Sequence, residues 1–230
     1  MVALILLFLT FPAVFAKDVK CPDDFIHVKR TPTVKNNQTK DWCLGIFHEE
    51  RMGILNRARS ICIYKNASLS IPENRKEFDL LSKLAISKNI SQPHAMDGRI
   101  SPKCVAHLVR AFKNHQSHNS SNFHGDCNLQ KKFYQFEDSN TDPSFILKNF
   151  AFTPPGKFAS QSGDDQPTVH EIGECVLLTN THYKGNQTNP GVAESSYCEG
   201  ARRNATWGDD LYYLHNEVEV SSVICGRHPL

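Results

Sequence analysis

The residues best suited to chemistry lie in one acidic loop, "GDDQPTVHEIGECV", at positions 163–176. Two Asp, two Glu, a Gln and a His surround a single Pro, and a Cys follows. Carboxylate and amide oxygens are the ligands that a hard cation such as calcium prefers, and a bound calcium can accept sugar hydroxyls. The loop therefore has two interpretations, a calcium site or an ordinary solvated loop.

A second cluster contains four histidines, and it is followed by Asp126. Its members are His107, His115, His118 and His124. His115 and His118 could share a helix face and bind zinc. The glycosylation sequon at Asn119 favours a solvated loop, which is the interpretation we adopt.

Catalytic patterns are missing from the sequence. No G-x-S-x-G and no C-x-x-C motif occurs, and "WGDD" at 207–210 is interpreted as a surface turn. We therefore predict a binding protein and not an enzyme. The net charge of +2, from 26 basic and 24 acidic residues, includes no basic stripe with interleaved aromatics. Nucleic acid is excluded as a partner on that ground.

Residues 1–16 are an uncharged apolar run that ends in Val14-Phe15-Ala16, a small-residue cleavage pattern. A membrane span needs about 20 apolar residues, so this run is short for an anchor. We predict a signal peptide cleaved after Ala16, an extracellular protein, and no membrane span after cleavage. The alternative is an uncleaved membrane anchor.

The cysteines and the glycosylation sequons also favour an extracellular protein. Eight cysteines, an even number, follow residue 16 and predict four disulfides. Six N-x-Ser/Thr sequons predict a glycosylated surface. The sequons are at Asn37, Asn66, Asn89, Asn119, Asn186 and Asn204.

The elements that must position the loop are two helices followed by strands. Residues 42–47 read as a strand, and an amphipathic helix with Cys62 on its inner face follows. A second helix is predicted with Pro72 and Glu73 in its first turn. "ECVLLTN" and "EVEVSSVICG" read as late strands, which makes the layout α+β.

The middle of the chain is poorer in such signals. We read residues 97–130 as an insert closed by a disulfide between Cys104 and Cys127. The Phe-bearing stretch 131–173 is long for a loop unless it is functional or packs through its aromatics. The chain beyond residue 16 is thus predicted to be a single domain, 17–230, and its oligomeric state is left open.

Several motifs together resemble the C-type lectin-like domain in its long form, in the divergent style of secreted nematode proteins. They are the early Cys-Pro, "WC", "ARSIC", "ASLSIPENRKEF", the Asp97 to Arg99 "DGR", "GECVLL", "YC" and "VICG". The resemblance covers residues 21–226. It implies a C-type lectin-like fold and extracellular recognition of a glycan or protein surface, and it suggests a role in innate defence or the cuticle.

The resemblance also implies a disulfide pattern, which spacing alone does not give because eight cysteines allow 105 pairings. The implied pairs are Cys62–Cys225, Cys175–Cys198 and Cys21–Cys43, which leaves Cys104 and Cys127 for each other.

Sugar-binding members carry Glu-Pro-Asn or Gln-Pro-Asp, a Glu eight positions after its first residue, and Trp-Asn-Asp before the third framework Cys. Here Gln166 and Pro167 match, Thr168 replaces the carboxylate, and Glu174 falls in register. Ala193-Glu194-Ser195 takes the Trp-Asn-Asp position. The resemblance therefore implies a degraded calcium and sugar site at Gln166, Thr168, Glu174, Glu194 and Ser195, with Ca²⁺ as the candidate cofactor. The alternative is an interaction or structural protein that uses the fold without calcium.

Overall fold

A mixed β-sheet runs through the computed structural model of the chain. The structure describes residues 18–49, 55–90, 93–104, 127, 133–149, 175–179, 193–196 and 220–230, with 55, 56 and 194–196 described by backbone alone. Within these residues the strands are β1 (Ile26–Lys29), β2 (Asp41–His48), β3 (Ser68–Leu69), β4 (His94–Ile100), β5 (Tyr134–Gln135), β6 (Cys175–Leu178), β7 (Ala193–Ser196) and β8 (Ser222–Arg227). The α-helices are α1 (Leu55–Tyr64), α2 (Arg75–Ser87) and α3 (Ser144–Lys148).

The order of the sheet is β1-β2-β8-β4-β6-β7, with β3 added on β8 and β5 on β4. Only one of these pairings is parallel, that of β4 with β8, where Ala95 lies opposite Val223. β2 and β8 come from opposite ends of the chain and pair over six residues. The Leu230 N–H also donates to the Lys20 carbonyl at 2.9 Å, so the two ends of the domain are joined.

The two longer helices, α1 and α2, pack through the faces that the sequence predicts. Ala58 and Cys62 on α1 are fully buried, as are Leu81 and Ala85 on α2. The start of α2 differs from the prediction, because Pro72 and Glu73 precede the helix. Asn74 caps it instead, accepting a bond from the Glu77 N–H at 3.0 Å, and Asn is among the best N-cap residues.

The hydrophobic core lies between α2 and the sheet and extends to residues after the insert. Trp42, Leu44 and Ile46 of β2 are at most 1% exposed, and Phe133 and Ile146 are fully buried. Burying a side chain of this size stabilises the fold by about 1.5–3 kcal/mol. Phe133 and Ile146 show that part of the stretch 131–173 packs into the core, as one of its two interpretations required.

Three of the four predicted disulfides are present among the described residues. They are Cys21–Cys43, Cys62–Cys225 and Cys104–Cys127. Cys175 is also disulfide-bonded, and its predicted partner Cys198 lies outside the described residues. The α+β class and the C-type lectin-like layout are therefore confirmed.

The boundary of the insert differs from the prediction. Residues 97–100 belong to β4, a central strand, and Met96, Asp97 and Ile100 are at most 3% exposed. The sequence "HAMDGRI" is polar, which is unusual for a central strand. His94 and Asp97 can be buried there because their polar atoms form hydrogen bonds. In the part of the chain that the structure describes, no helix has the length and apolar character of a membrane span.

Candidate functional site

The β6–β7 edge of the sheet contains the part of the predicted binding site that the structure describes. β7 is the last strand of the sheet path, and it pairs antiparallel with β6 in unbroken register. Cys175 lies opposite Ser196, and Val176 lies opposite Ser195. Glu174 directly precedes Cys175 in the chain. The end of β7 therefore lies beside the start of β6, and the position of Trp-Asn-Asp is on β7.

The structure describes two of the five predicted ligands, and those two by backbone only. Glu194 and Ser195 are the middle residues of β7. Gln166, Thr168 and Glu174 lie outside the described residues. The four histidines of the insert, at positions 107, 115, 118 and 124, also lie outside them, so the zinc interpretation stays untested.

The residues at this edge fit a calcium ion only in part. Ala193 takes the position of the aromatic that the resemblance implies; it is fully buried and offers no side-chain ligand. Thr168 supplies a neutral hydroxyl in place of a carboxylate, which weakens attraction for a hard cation. Among the described residues, no group of three or more His, Cys, Asp or Glu could hold a metal ion. Gln166 and Glu174, which keep the spacing of the calcium-binding pattern, lie outside the described residues, so the calcium site stays a prediction.

A glycine on β4 determines how closely β6 approaches. Gly98 has φ +128°, a conformation that residues with a Cβ rarely adopt. A Cβ at this position would lie 2.8 Å from the Phe136 ring and 2.9 Å from Cγ2 of Val176. The register between β4 and β6 shifts here, between the pairs Ala95–Leu177 and Arg99–Cys175. The bulge therefore requires glycine, and it sets the start of β6.

Asp97, next to this glycine, fastens the segment that follows the insert. Its Oδ2 accepts bonds from the N–H groups of Glu137 at 2.6 Å and Asp138 at 2.8 Å. Its Oδ1 accepts from the Gly98 N–H at 2.9 Å. Burial raises the pKa of the Asp97 carboxyl to about 6, and the nearby Asp138 and Glu137 carboxylates act in the same direction. The N–H groups of Asp138 and Glu137 act in the opposite direction and lower this pKa.

Asp138 continues this network into the core. Its carboxylate accepts bonds from the hydroxyls of Ser70 and Thr141, both of which are buried. Thr141 in turn accepts from Nη1 of Arg30 at 2.7 Å. Segment 137–142 is therefore held by hydrogen bonds to β4, to the residue after β3 and to the residue after β1.

Arg30 is the cation that balances the buried carboxylates beneath α2. Its guanidinium binds Glu77 with two bonds, Nε to Oε1 at 2.9 Å and Nη2 to Oε2 at 2.8 Å. Both side chains are at most 5% exposed, and the paired geometry is the strong form of this contact. Glu73 lies 3.4 Å from Arg30 Nε, yet burial still raises the pKa of the Glu73 carboxyl.

The sequence did not predict this polar network, which holds segment 137–142. One signal was available: "DSNTDP" at 138–143 is dense in residues that hydrogen-bond their own backbone in turns. The Asp138 carboxylate accepts from the Asn140 N–H at 3.0 Å, and Asp142 accepts from the Ser144 N–H at 2.9 Å. The long-range partners of these residues carried no such signal.

Three of the six sequons fall on described residues. Asn37, Asn66 and Asn89 are all exposed and all have left-handed backbones, with φ of 50°, 52° and 52°. Asn119, Asn186 and Asn204 lie outside the described residues. Glycosylation stays a prediction at all six.

The sequence model of the family described as C-type lectin domain-containing protein 141/158 matches residues 27–228. The chain is 23% identical over 216 residues to C-type lectin domain-containing protein 158 of Caenorhabditis elegans. That alignment covers 92% of this chain and 90% of the relative.

Solved structures with a similar fold include two mammalian proteins. One is the cow C-type carbohydrate-recognition domain of CD23, determined in the presence of a GlcNAc2Man3 oligosaccharide. Its sequence is 12% identical, the match covers 91% of this chain and 97% of that chain, and the TM-score is 0.42. The other is human lithostathine, with 13% identity, 91% coverage of each chain and a TM-score of 0.43.

Proposed function

Because the chain belongs to the C-type lectin domain-containing protein 141/158 family, we propose that it is a secreted recognition protein. It binds a carbohydrate or protein surface, and it does so without catalysis. Its binding edge is the junction of β6 and β7. The calcium and sugar site at that junction is degraded relative to sugar-binding members of the fold.

The observation that carries this proposal is the register of β7 on β6. With Ser195 opposite Val176, the position of Trp-Asn-Asp is brought beside the start of β6, which Glu174 directly precedes. Gln166 and Glu174 keep the spacing of the calcium-binding pattern. Two residues that match oxygen ligands of the calcium-binding pattern, together with the pairing of β7 with β6, support a binding site here.

A second candidate function is recognition of a protein surface without calcium. The buried Ala193 favours it, since this position has lost the aromatic of the sugar-binding pattern. Thr168 favours it too, because the site has one carboxylate fewer for a divalent cation. In this case the edge contacts its partner directly through β7 and its neighbours.

Calcium titration of the secreted protein by calorimetry, followed by a glycan array in calcium and in EDTA, separates the two. Calcium-dependent sugar binding predicts a binding heat, a rise in melting temperature with calcium, and array signals that EDTA abolishes. Glu174→Ala should then remove all three. Asp79→Ala is the matched control, because this exposed carboxylate lies on α2, which packs against β2, away from the β6–β7 edge.

Three other outcomes would remove the role of calcium, the calcium site itself or the carbohydrate ligand from the proposal. Array signals that survive EDTA and Glu174→Ala would show glycan recognition without calcium. No heat and no thermal shift at millimolar calcium would end the calcium site. The absence of any glycan signal in both buffers would overturn the carbohydrate part of the proposal.

A further inference from the structure

The three sequons on described residues share one backbone motif. In each, the Asn is left-handed and follows a helical turn, and its N–H donates to the carbonyl three residues earlier, at 2.8–3.4 Å. The next N–H donates five residues back, at 2.8–2.9 Å. These two bonds define the Schellman motif that ends helices. We call these segments the sequon turns: Val34 to Asn37, Ile63 to Asn66 and Ile86 to Asn89.

The first residue of every sequon turn is a β-branched aliphatic left in solvent. Val34 is 89% exposed, Ile63 is 71% exposed and Ile86 is 51% exposed. The described residues contain six large exposed hydrophobic side chains, so half of them stand three positions before a sequon Asn. Single exposed apolar residues are common on proteins, but this coincidence of position requires a separate cause.

The left-handed backbone alone does not supply that cause. Asn is favoured over other non-glycine residues in this conformation, which explains the Asn itself. It explains neither a Ser or Thr two positions later in all three turns nor an exposed Val or Ile three positions earlier. The three Asn side chains are exposed, so their amides are accessible for modification.

We propose that the first N-acetylglucosamine of an N-linked glycan at each sequon turn packs on the exposed aliphatic residue of that turn. The Asn amide nitrogen forms a bond to C1 of the sugar, the lipid-linked diphosphate oligosaccharide donor loses its diphosphate, and the amide releases a proton. The C–H face and acetyl methyl of the sugar then cover the Val or Ile side chain. The aliphatic residue is exposed to solvent in the unglycosylated protein, and it contacts the sugar in the glycosylated protein.

The Ile63 turn offers the largest contact. Ile63 and Asn66 line a groove of about 500 Å³ whose other wall includes His228 and Pro229. This lies within the roughly 300–1,000 Å³ typical of small-molecule sites. A sugar on Asn66 meets the C-terminal segment as well as the helix, so the effect should be greatest here.

The test measures whether the glycan and the aliphatic residue stabilise the fold together. The full-length protein and its Ile63→Ser variant are secreted from cells whose glycan processing stops at the high-mannose stage. Melting temperatures are compared for intact protein, for protein trimmed by endoglycosidase H to one N-acetylglucosamine, and for protein stripped by peptide N-glycosidase. Val19→Ser is the matched control, because this exposed β-branched residue lies outside the sequon turns and does not line the groove.

Ile63→Ser should lower the melting temperature by about 1–3 °C more in the intact and trimmed forms than in the stripped form. Val34→Ser and Ile86→Ser should behave in the same direction with smaller effects, and Val19→Ser should have equal effects in all three forms. Equal effects of Ile63→Ser in all three forms would overturn the proposal. So would mass spectrometry that finds Asn66 unmodified in the secreted protein. The inference rests on the secretion included in the proposed function, but ligand binding has no part in the readout, so failure of glycan packing and failure of recognition are distinguishable.

Discussion

Asp97 is the residue whose charge state should most affect stability. Its pKa is raised from 3.8 to about 6 in the folded protein, so the folded state holds this proton more tightly than the unfolded chain does. The stability from this group is fully present below pH 3.8 and is lost as the pH rises through about 6. The difference between the two limits is about 3 kcal/mol.

Asp97→Asn should remove this pH dependence. The amide stays neutral, but it cannot accept bonds at both atoms, so at least one of the three N–H donors loses its partner at a cost of about 1–3 kcal/mol. Urea unfolding at about pH 4.5 and about pH 7 should therefore show a larger deficit of the variant at the lower pH. A deficit that is equal at both pH values would contradict the assignment.

Gly98→Ala should destabilise the start of β6. The substitution combines an unfavourable φ of +128° with contacts under 3 Å to Phe136 and Val176, and the cost should exceed about 2 kcal/mol. Gly45→Ala is the matched control, because a Cβ there also meets a phenylalanine ring at 2.8 Å, that of Phe47, but the φ of Gly45 is not in the left-handed region. Thermal unfolding should rank Gly98→Ala below Gly45→Ala; similar melting temperatures would show that the positive φ of Gly98 adds no cost.

Single residues near the candidate site differ in how well sequence predicts them. The resemblance implies ligand roles for Gln166 and Glu174, and these roles stay predictions. The roles of Asp97 and Gly98 depend on Glu137, Phe136 and Val176, which are distant in the chain. No local pattern contains such pairings, so these roles could be assigned only from the fold.

At the level of elements, α1 is joined to the last strand by Cys62–Cys225, which closes a separation of 163 residues. In the chain-entropy model a cross-link over this length stabilises by about 5 kcal/mol, whereas one over the 23 residues of Cys104–Cys127 stabilises by about 3.5 kcal/mol. Replacing both cysteines of a pair with Ala should therefore lower stability more for the long loop. Denaturant unfolding of the two double variants measures the difference, and an equal loss would count against the entropic account.

Elements that follow a clear hydrophobic period were predictable. The predicted segments that match are α1, α2, β2, β6 and β8. They were predictable because their apolar residues are buried in the hydrophobic clusters. β4 did not follow, because its buried His94 and Asp97 look like loop residues in sequence. Such a strand is stable only because distant partners, such as Ser222 for His94, satisfy its polar groups.

For the whole molecule, the α+β class was predictable because both long helices and several strands are strongly patterned, whereas the Cys62–Cys225 pairing was implied by the resemblance and not by spacing. The candidate site stays a prediction, because its expected ligands Gln166, Thr168 and Glu174 lie outside the described residues. Its backbone half, β7 on β6, follows from strand pairing and is described. This explains why the fold is better determined by sequence than the ligand.

Secretion is the prediction that concerns the entire chain. Disulfides such as Cys62–Cys225 form in oxidising compartments, and the apolar run 1–16 is the predicted signal peptide. In insect or mammalian cells the protein should appear in the medium with Lys17 as its first residue, as read by N-terminal sequencing. Ala16→Arg should block or move cleavage because the position before the cut requires a small residue, whereas Phe15→Leu should leave it in place. A membrane-retained chain that keeps residues 1–16 would instead establish the anchor, and the recognition surface would then be displayed on a cell and not released.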